Sequence, residues 1–452
     1  MPNIIPRKCR LTPRTVEMRD GLRYGSEKPV GYLPRVVDAR IRSLLDLFGA
    51  VEVAGTKWCG KTWSALAFGE SVVRIDDERV KNLVAADPAL ALEGAQPHVV
   101  DEWQEVPSIW DAARRAIDAS GSRKGSYLLT GSSTPEKDKV THSGAGRIAR
   151  VCMHTMSLWE EGASTGTVSL KGLFEGSFKP DLVDGSGLRS IAESICRGGW
   201  PALVGASPDA AAATVEQYLD ALFEVSVPRK GGVSHTARKL AASLARNVAT
   251  SATLETLAAD ALGDGRSALS RETVSLYLNV FKDLYFVEEL FGWDAPVRSK
   301  SRVRSKPKRY FADPSIPAVL LGMNVDRLLA DAQTFGLLFE SLCIRDLRVY
   351  ASVLPEAPAD PLRYYQDADG LEVDAIIELR DGRWAGIEVK LGENKVPDAI
   401  ANLNRLRSKV RSNPAARNNE PSFMAVVTAN SPFARYDHEN DVYVVPITCL
   451  RS

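Results

Sequence analysis

The sequence predicts an α/β protein in which a parallel-sheet domain is followed by a helical middle and then a second α/β domain. Three observations carry this expectation. Residues from about 30 to 160 alternate short apolar runs (Ala50 to Ala54, Val72 to Ile75, His98 to Val100, Tyr127 to Leu129) with helical stretches, the βαβ rhythm of a parallel sheet. From Ala211 to Leu290 nearly every segment has helical period, including Leu269 to Leu290. Strand-like runs then return at Arg309 to Phe311, Glu372 to Leu379, Trp384 to Lys390, Phe423 to Thr428 and Val442 to Pro446. Between the first two regions, the Gly-, Ser- and Thr-rich stretch Gly162 to Gly187 reads as loops at a domain edge.

Bulk properties bound the rest. A chain of 452 residues exceeds one ordinary core and should divide into roughly two to four domains. With 44% hydrophobic and 25% charged residues it has a globular composition, not a disordered or fibrous one. Lys plus Arg equals Asp plus Glu at 57 each, which argues against a chain that coats nucleic acid or membrane as a whole and leaves local basic patches open. The cysteines (Cys9, Cys59, Cys152, Cys196, Cys343, Cys449) are scattered without a CxxC pair, as reduced thiols would be and a zinc site would not. No run of about 18 apolar residues exists and no apolar segment follows Met1, so a cytoplasmic protein without a membrane partner is expected. No internal repeat of about 20 to 50 residues is present, which removes solenoids and propellers.

The strongest motif is Gly55-Thr56-Lys57-Trp58-Cys59-Gly60-Lys61-Thr62, which fits GxxxxGK(S/T), follows the apolar strand Val51 to Ala54 and opens the helix Trp63 to Phe68. Strand before and helix after are what the chemistry needs, because the loop N–H groups and the helix N-terminus together cradle phosphate oxygens. Lys61 would neutralise the β and γ phosphates of ATP, and Thr62 would offer its hydroxyl to magnesium.

Hydrolysis needs an acid at the end of another strand. Val99-Val100-Asp101-Glu102 supplies it, Asp101 holding magnesium through water and Glu102 polarising the attacking water. Tyr127-Leu128-Leu129-Thr130-Gly131-Ser132-Ser133 brings hydroxyls to a strand's C-terminal end, where Thr130 could sense the γ-phosphate. Arg147, after Gly146, could present a guanidinium to that phosphate in cis or from a neighbouring subunit of a homo-oligomer; a surface arginine is the alternative.

Taken with Gly198-Gly199-Trp200-Pro201, these segments resemble the prokaryotic AAA-type ATPases that carry a C-terminal domain of unknown function, over nearly the whole chain. The resemblance implies an AAA-type P-loop NTPase domain, ATP and magnesium as ligands, and a place near the nucleotide base for Tyr32-Leu33-Pro34-Arg35. Lys57, Trp58, Cys59 and Trp63 depart from the family pattern without removing a phosphate ligand.

In the middle, Ser270 is a good N-cap and Val274, Tyr277, Phe281 and Leu284 form one stripe. With strand-like Tyr285 to Trp293 behind it, this segment resembles a winged-helix unit. The basic run Arg298, Lys300, Arg302, Arg304, Lys306, Lys308, Arg309 could place charges on one edge facing a DNA backbone, or form a solvated edge.

The C-terminal pattern is two strands, Glu372 to Leu379 and Trp384 to Lys390, joined by a hairpin. A two- or four-residue loop would put Asp374 and Glu388 on opposite faces. A three-residue loop, Arg380-Asp381-Gly382 with Gly382 in the left-handed region, pairs them and stacks the apolar sets on the other face. The hydrophobic pattern selects the second, which clusters Asp374, Glu388 and Lys390. Two carboxylates and an ammonium on one face can bind a divalent metal and act on a scissile phosphate. This D…ExK pattern resembles the PD-(D/E)xK nuclease fold, a restriction-endonuclease-like α/β domain, and Glu340 in the helix Phe335 to Arg348 would match its upstream acid and complete the metal ligands. The expected organisation is an N-terminal extension over 1–30, the ATPase domain over 31–165, a helical linker or lid over 166–230, a winged-helix-like domain over 231–310 and the nuclease-like domain over 311–452. An ATPase whose nucleotide state controls the C-terminal domain follows, with a non-catalytic switch or docking scaffold as the rival.

Overall fold

The computed structural model describes residues 14–19, 22–26, 28–135, 143–182, 187–261, 269–294, 306–414, 416 and 418–452. The chain forms two compact units, one of residues 1–154 with 283–285, the other of 155–282 with 286–452.

The first unit opens with the hairpin β1 (Arg14–Arg19) and β2 (Leu22–Ser26), then runs α1 (Val37–Leu47), β3 (Ala50–Ala54), α2 (Lys61–Phe68), β4 (Ser71–Arg74), α3 (Glu78–Ala86), β5 (His98–Asp101), α4 (Ser108–Ala119), β6 (Tyr127–Gly131) and β7 (Ile148–Cys152). The four expected strands form within one or two residues of the expected bounds; β7, whose Ala149 and Arg150 interrupt its apolar pattern, was not legible as a strand. All five strands β3 to β7 run parallel in the order β4-β5-β6-β3-β7. Because strand side chains alternate, each strand serves two cores. Val51, Val53, Val72, Val99 and Leu128 meet the apolar stripe Val37, Ile41, Leu44 and Leu45 of α1, while Ala50, Val73, Val100 and Leu129 meet Ile109, Ala113 and Ile117 of α4. On the α4 side Glu52 is buried and held by Arg150 (Nε to Oε2 2.5 Å) and Trp103 (Nε1 to Oε1 3.3 Å), a carboxylate whose burial requires those partners.

The second unit begins with β8 (Val168–Ser169), α5 (Leu170–Phe174) and β9 (Asp181–Leu182), so the stretch read as loops holds a short helix, nucleated by Ser169 accepting the Gly172 N–H at 3.2 Å. Helices α6 (Leu188–Arg197), α7 (Pro208–Ala221), α8 (Val227–Arg229), α9 (Ser234–Arg246), α10 (Leu254–Asp260) and α11 (Arg271–Asp283) follow. Ser270 caps α11 by accepting the Thr273 N–H at 3.1 Å, and Val274, Tyr277, Phe281 and Leu284 are all buried. Antiparallel β10 (Val287–Leu290) and β11 (Lys308–Phe311) come next. Of the basic run, Arg298 to Arg304 lie outside the described residues. Lys308 and Arg309 turn inward, Arg309 to Glu289 at 3.3 Å and to the Ala252 carbonyl at 2.8 Å, so these two do not form an exposed phosphate-facing edge.

After α12 (Ser315–Leu320), α13 (Val325–Ala330) and α14 (Ala332–Ala351), the chain builds a mixed seven-stranded sheet. Its strands are β12 (Leu362–Gln366), β13 (Glu372–Glu378), β14 (Trp384–Lys390), β15 (Phe423–Thr428), β16 (Phe433–Asp437) and β17 (Val442–Pro446), with β9, in the order β12-β13-β14-β15-β17-β16-β9. Helix α15 (Val396–Arg411) packs Val396, Ala399, Leu403 and Leu406 against Trp384, Met424 and Val444, and β18 (Leu450–Arg451) pairs with β8. Among the described residues no helix is long and apolar enough to cross a membrane.

Candidate functional site

The loop between β3 and α2 owes its path to two glycines. Gly55 has φ +154°, and a Cβ there would stand 2.2 Å from the Met153 carbonyl oxygen; Gly60, at φ +102°, sits at the N-cap of α2, where no side chain caps the helix. The first turn of α2 is thus left to an anion. Trp58 also takes a positive φ (71°) and is exposed with Lys57, whereas Thr56 and Cys59 are buried. Lys61 folds over the loop, its Nζ donating to the Thr56 carbonyl at 2.7 Å. The Tyr32 to Arg35 segment clasps this loop from outside: Arg35 donates to the carbonyls of Cys59 (2.8 Å) and His154 (2.9 Å), and the Tyr32 hydroxyl reaches Ser64 Oγ (2.8 Å) and Asp38 (2.7 Å).

β6 lies between β3 and β5, so its end can bridge the loop and the acid. Asp101 Oδ1 accepts from Thr62 Oγ1 at 2.8 Å and from Thr130 Oγ1 at 2.5 Å, while Oδ2 accepts from Arg74 at 3.1 Å. Burial raises the Asp101 pKa; the hydrogen bonds from Thr130 and Thr62 and the charge of Arg74 oppose it. Glu102 sits at φ 57°, its N–H donating to Thr130 Oγ1 at 3.2 Å, and its carboxylate accepts from Ser132 Oγ at 2.8 Å and from the Gln104 amide. Thr130 therefore orients both acids here. Arg74 and Gln104 belong to this network and were missed; each lies within two residues of a strand end or of Glu102, the only sequence signal they carry.

Magnesium fits this donor set: it takes one or two protein oxygens and fills the remaining positions with phosphate and water, and Thr62 and Asp101 present one hard oxygen each.

Arg147 is not brought to the loop. It precedes β7, its carbonyl accepts the Ala50 N–H at the opposite end of β3, and its guanidinium pairs with Asp118 at 2.8 Å. Five residues of strand, about 17 Å, separate the two ends. Arg147 is not placed beside the loop of its own chain, because parallel β7 starts next to Ala50, at the end of β3 opposite the phosphate loop.

In the second unit the hairpin takes the three-residue loop. Ala375 pairs with Ile387, Ile376 with Gly386, Ile377 with Ala385 and Glu378 with Trp384, a register that carries Asp374 opposite Glu388. The Leu379 N–H donates to Arg383 O at 2.9 Å, and Gly382 has φ +88°. Asp374 Oδ2 accepts the Val389 N–H (2.9 Å) and Lys390 Nζ (3.3 Å), Lys390 Nζ reaches Glu388 Oε2 at 2.5 Å, and Asn402 donates to Glu388 Oε1 at 3.2 Å. Burial, aided by Asp374, pushes Glu388 up to about 8; Asp374 stays low because Lys308, Lys390 and the Val389 N–H outweigh its own burial. Glu340, pushed up to about 6 by burial, faces Tyr310 (2.7 Å) and Lys308 (2.9 Å).

Glu340, Asp374 and Glu388 were expected to hold a metal. Among the described residues no group of three or more His, Cys, Asp or Glu side chains is disposed to do so. Lys308, unforeseen as part of this cluster, places its buried ammonium 2.9 Å from Glu340, 2.6 Å from Glu372 and 3.6 Å from Asp374. The residues present do not fit a divalent ion.

Gly198 to Pro201 plays a structural part. The Gly199 N–H donates to Asp313 at 2.9 Å and Trp200 Nε1 to Ser315 at 2.9 Å, within a buried network of Asp313, Arg345, Asp346 and Glu161.

Comparison with known proteins agrees with the loop geometry. Residues 48–161 match the family model described as an AAA domain. Residues 188–327 and 335–450 match two families described as domains of unknown function, DUF8612 and DUF4143. No curated protein matches the chain. Among solved structures, it is similar to the Walker-type ATPase PABY2304 of Pyrococcus abyssi (12% identity, TM-score 0.41, 64% of this chain and 96% of that one). It is also similar to the replication initiator DnaA bound to AMPPCP and single-stranded DNA (16%, 0.26, 55% and 86%). A third likeness is to the Aeropyrum pernix Orc1 protein in complex with DNA (14%, 0.27, 65% and 94%). The first unit holds an ATPase-like P-loop domain of the AAA type.

Proposed function

We propose that this AAA-type domain binds ATP with magnesium and hydrolyses it. The observation that carries the reading is the chain Thr62–Asp101–Thr130–Glu102, which ties the phosphate loop to the two acids a hydrolase of this kind needs. Lys61 and the open first turn of α2 would hold the β and γ phosphates, and Thr62, with Asp101 through water, would hold magnesium, which when bound offsets the phosphate charge. Glu102, released from Ser132 and Gln104, takes up a proton from the attacking water. Arg147 is assigned to the site of a neighbouring copy. Steady-state phosphate release by the full chain, compared with Glu102→Gln, tests this; equal rates in the two proteins would sink it.

The rival, a nucleotide-dependent switch or docking scaffold with little turnover, is favoured by one observation: the Glu102 carboxylate is already engaged by Ser132 and Gln104. In either case the C-terminal α/β domain is the proposed effector. Its Asp374, Glu388 and Lys390 face supports a likeness to the PD-(D/E)xK arrangement, and the three helices α9 to α11 followed by the β10–β11 pair support a winged-helix-like unit. DNA is the proposed partner, and stimulation of phosphate release by added DNA separates an effector of that class from a protein-docking one.

A further inference from the structure

The C-terminal carboxylates already have a cation, and it belongs to the chain. We propose that the Lys308 ammonium is the resident cation of the Glu340, Glu372 and Asp374 cluster and keeps divalent metal out of it, so that this face does not carry out metal-assisted cleavage.

Geometry supports the exchange of roles. A magnesium ion would sit about 2.0–2.1 Å from carboxylate oxygens with a shell of waters. Lys308 Nζ, at 2.9 Å from Glu340 Oε1 and 2.6 Å from Glu372 Oε1, takes the space and the lone pairs such an ion would need, and Asp374 Oδ1 is 3.6 Å away. The ammonium cannot readily swing aside. Lys308 is 3% exposed in its side chain, its backbone is paired with Leu290 in β10, its Nζ lies 5.5 Å over the Tyr364 ring, and the Tyr364 hydroxyl fixes the Lys306 carbonyl two residues earlier. On the far side Lys390 Nζ lies 3.3 Å from Asp374 and 2.5 Å from Glu388, so a dication entering between them would meet two ammonium groups at close range. Removing Lys308 alone reverses the balance, because buried carboxylates left without their counter-ion must take up protons or another cation.

The consequence is a strut: Lys308 of β11 ties that strand to β13 through Glu372 and Asp374 and to α14 through Glu340, in one buried charge cluster.

The test titrates Mn2+ alone, without nucleotide, into the full chain and follows the free-ion electron paramagnetic resonance signal, with circular dichroism reporting the fold. Wild type and Asp374→Asn are expected to bind equally, with no stoichiometric site lost in the variant. Lys308→Met is expected to gain one Mn2+ site at least about tenfold tighter than any in wild type, a difference of ~1.4 kcal/mol, and Lys308→Met with Asp374→Asn to lose it. A stoichiometric wild-type site abolished by Asp374→Asn overturns the proposal, as does a folded Lys308→Met chain that gains none. Should Lys308→Met fail to fold, the wild-type and Asp374→Asn comparison decides alone.

Discussion

Thr62 Oγ1 donates to Asp101 Oδ1 at 2.8 Å, so the last residue of the phosphate loop is tied to the end of a strand two places away in the sheet. Thr130, on the strand between, donates to the same oxygen and accepts the Glu102 N–H. Loop and acids are therefore set by one strand order, and a change at any of these hydroxyls is felt at both.

Lys61→Ala removes the loop cation best placed for the β and γ phosphates. ATP affinity is expected to fall roughly 10- to 100-fold, the ~1.5–3 kcal/mol of a charged hydrogen bond. Exposed Trp58 in the same loop offers a fluorescence readout. Glu102→Gln should bind ATP as wild type does and release phosphate far more slowly; wild-type affinity in Lys61→Ala would refute the phosphate-loop assignment.

Arg147→Ala is expected to leave turnover of the dilute protein within about twofold, since an exposed pair such as Arg147 with Asp118 contributes only ~0–1 kcal/mol. A fall of ~10³ that appears only as protein concentration rises would assign the guanidinium to a second copy's site. A fall of that size in the dilute monomer would contradict its position at the far end of β7.

The hairpin register was legible because one-residue slips invert every side chain, and only the three-residue loop keeps Ala375, Ile377, Ala385 and Ile387 together. The phosphate loop was legible because its chemistry is local in sequence. Lys308 was not: it is 32 residues from Glu340 and sits in a run that reads as a solvated basic edge, and no periodicity says that one of those lysines turns inward. For Arg147 the choice between an in-cis role, a neighbouring subunit and a surface position was open for a related reason. A motif gives the residue type, whereas the end of the strand it occupies depends on the pairing of β7 with β3, which sequence spacing leaves open.

Gly199→Ala should destabilise the second unit without touching the phosphate loop. A Cβ there would lie 2.1 Å from the Met156 carbonyl oxygen and 2.5 Å from the Arg345 guanidinium, so backbone and a buried charge must both move. Overpacking of this kind costs ~1–3 kcal/mol. A lowered urea midpoint for the second unit's transition is the expected result; an unchanged midpoint would mean that the segment from Met156 to Gly199 has slack that these distances do not allow.

Glu161 gives the chain a pH dependence with a definite sign. Burial pushes its carboxyl up to about 8, Arg345 at 3.9 Å and Arg197 at 3.4 Å oppose that shift, and Asp346 and Asp313 add to it. The folded chain therefore keeps a proton that the unfolded chain gives up near the ordinary glutamate value. Stability from this group is complete below that value and is lost as pH rises towards about 8, at ~1.4 kcal/mol for each pH unit in the window. Glu388 and Glu340 slope the same way, so the contribution of Glu161 is read from a difference. Glu161→Gln, neutral at every pH, should flatten the stability profile between about pH 4.5 and 8 relative to wild type, measured as urea midpoints across that range. Parallel profiles for the two proteins would show that Arg345 and Arg197 keep the carboxylate ionised and that burial does not govern its charge.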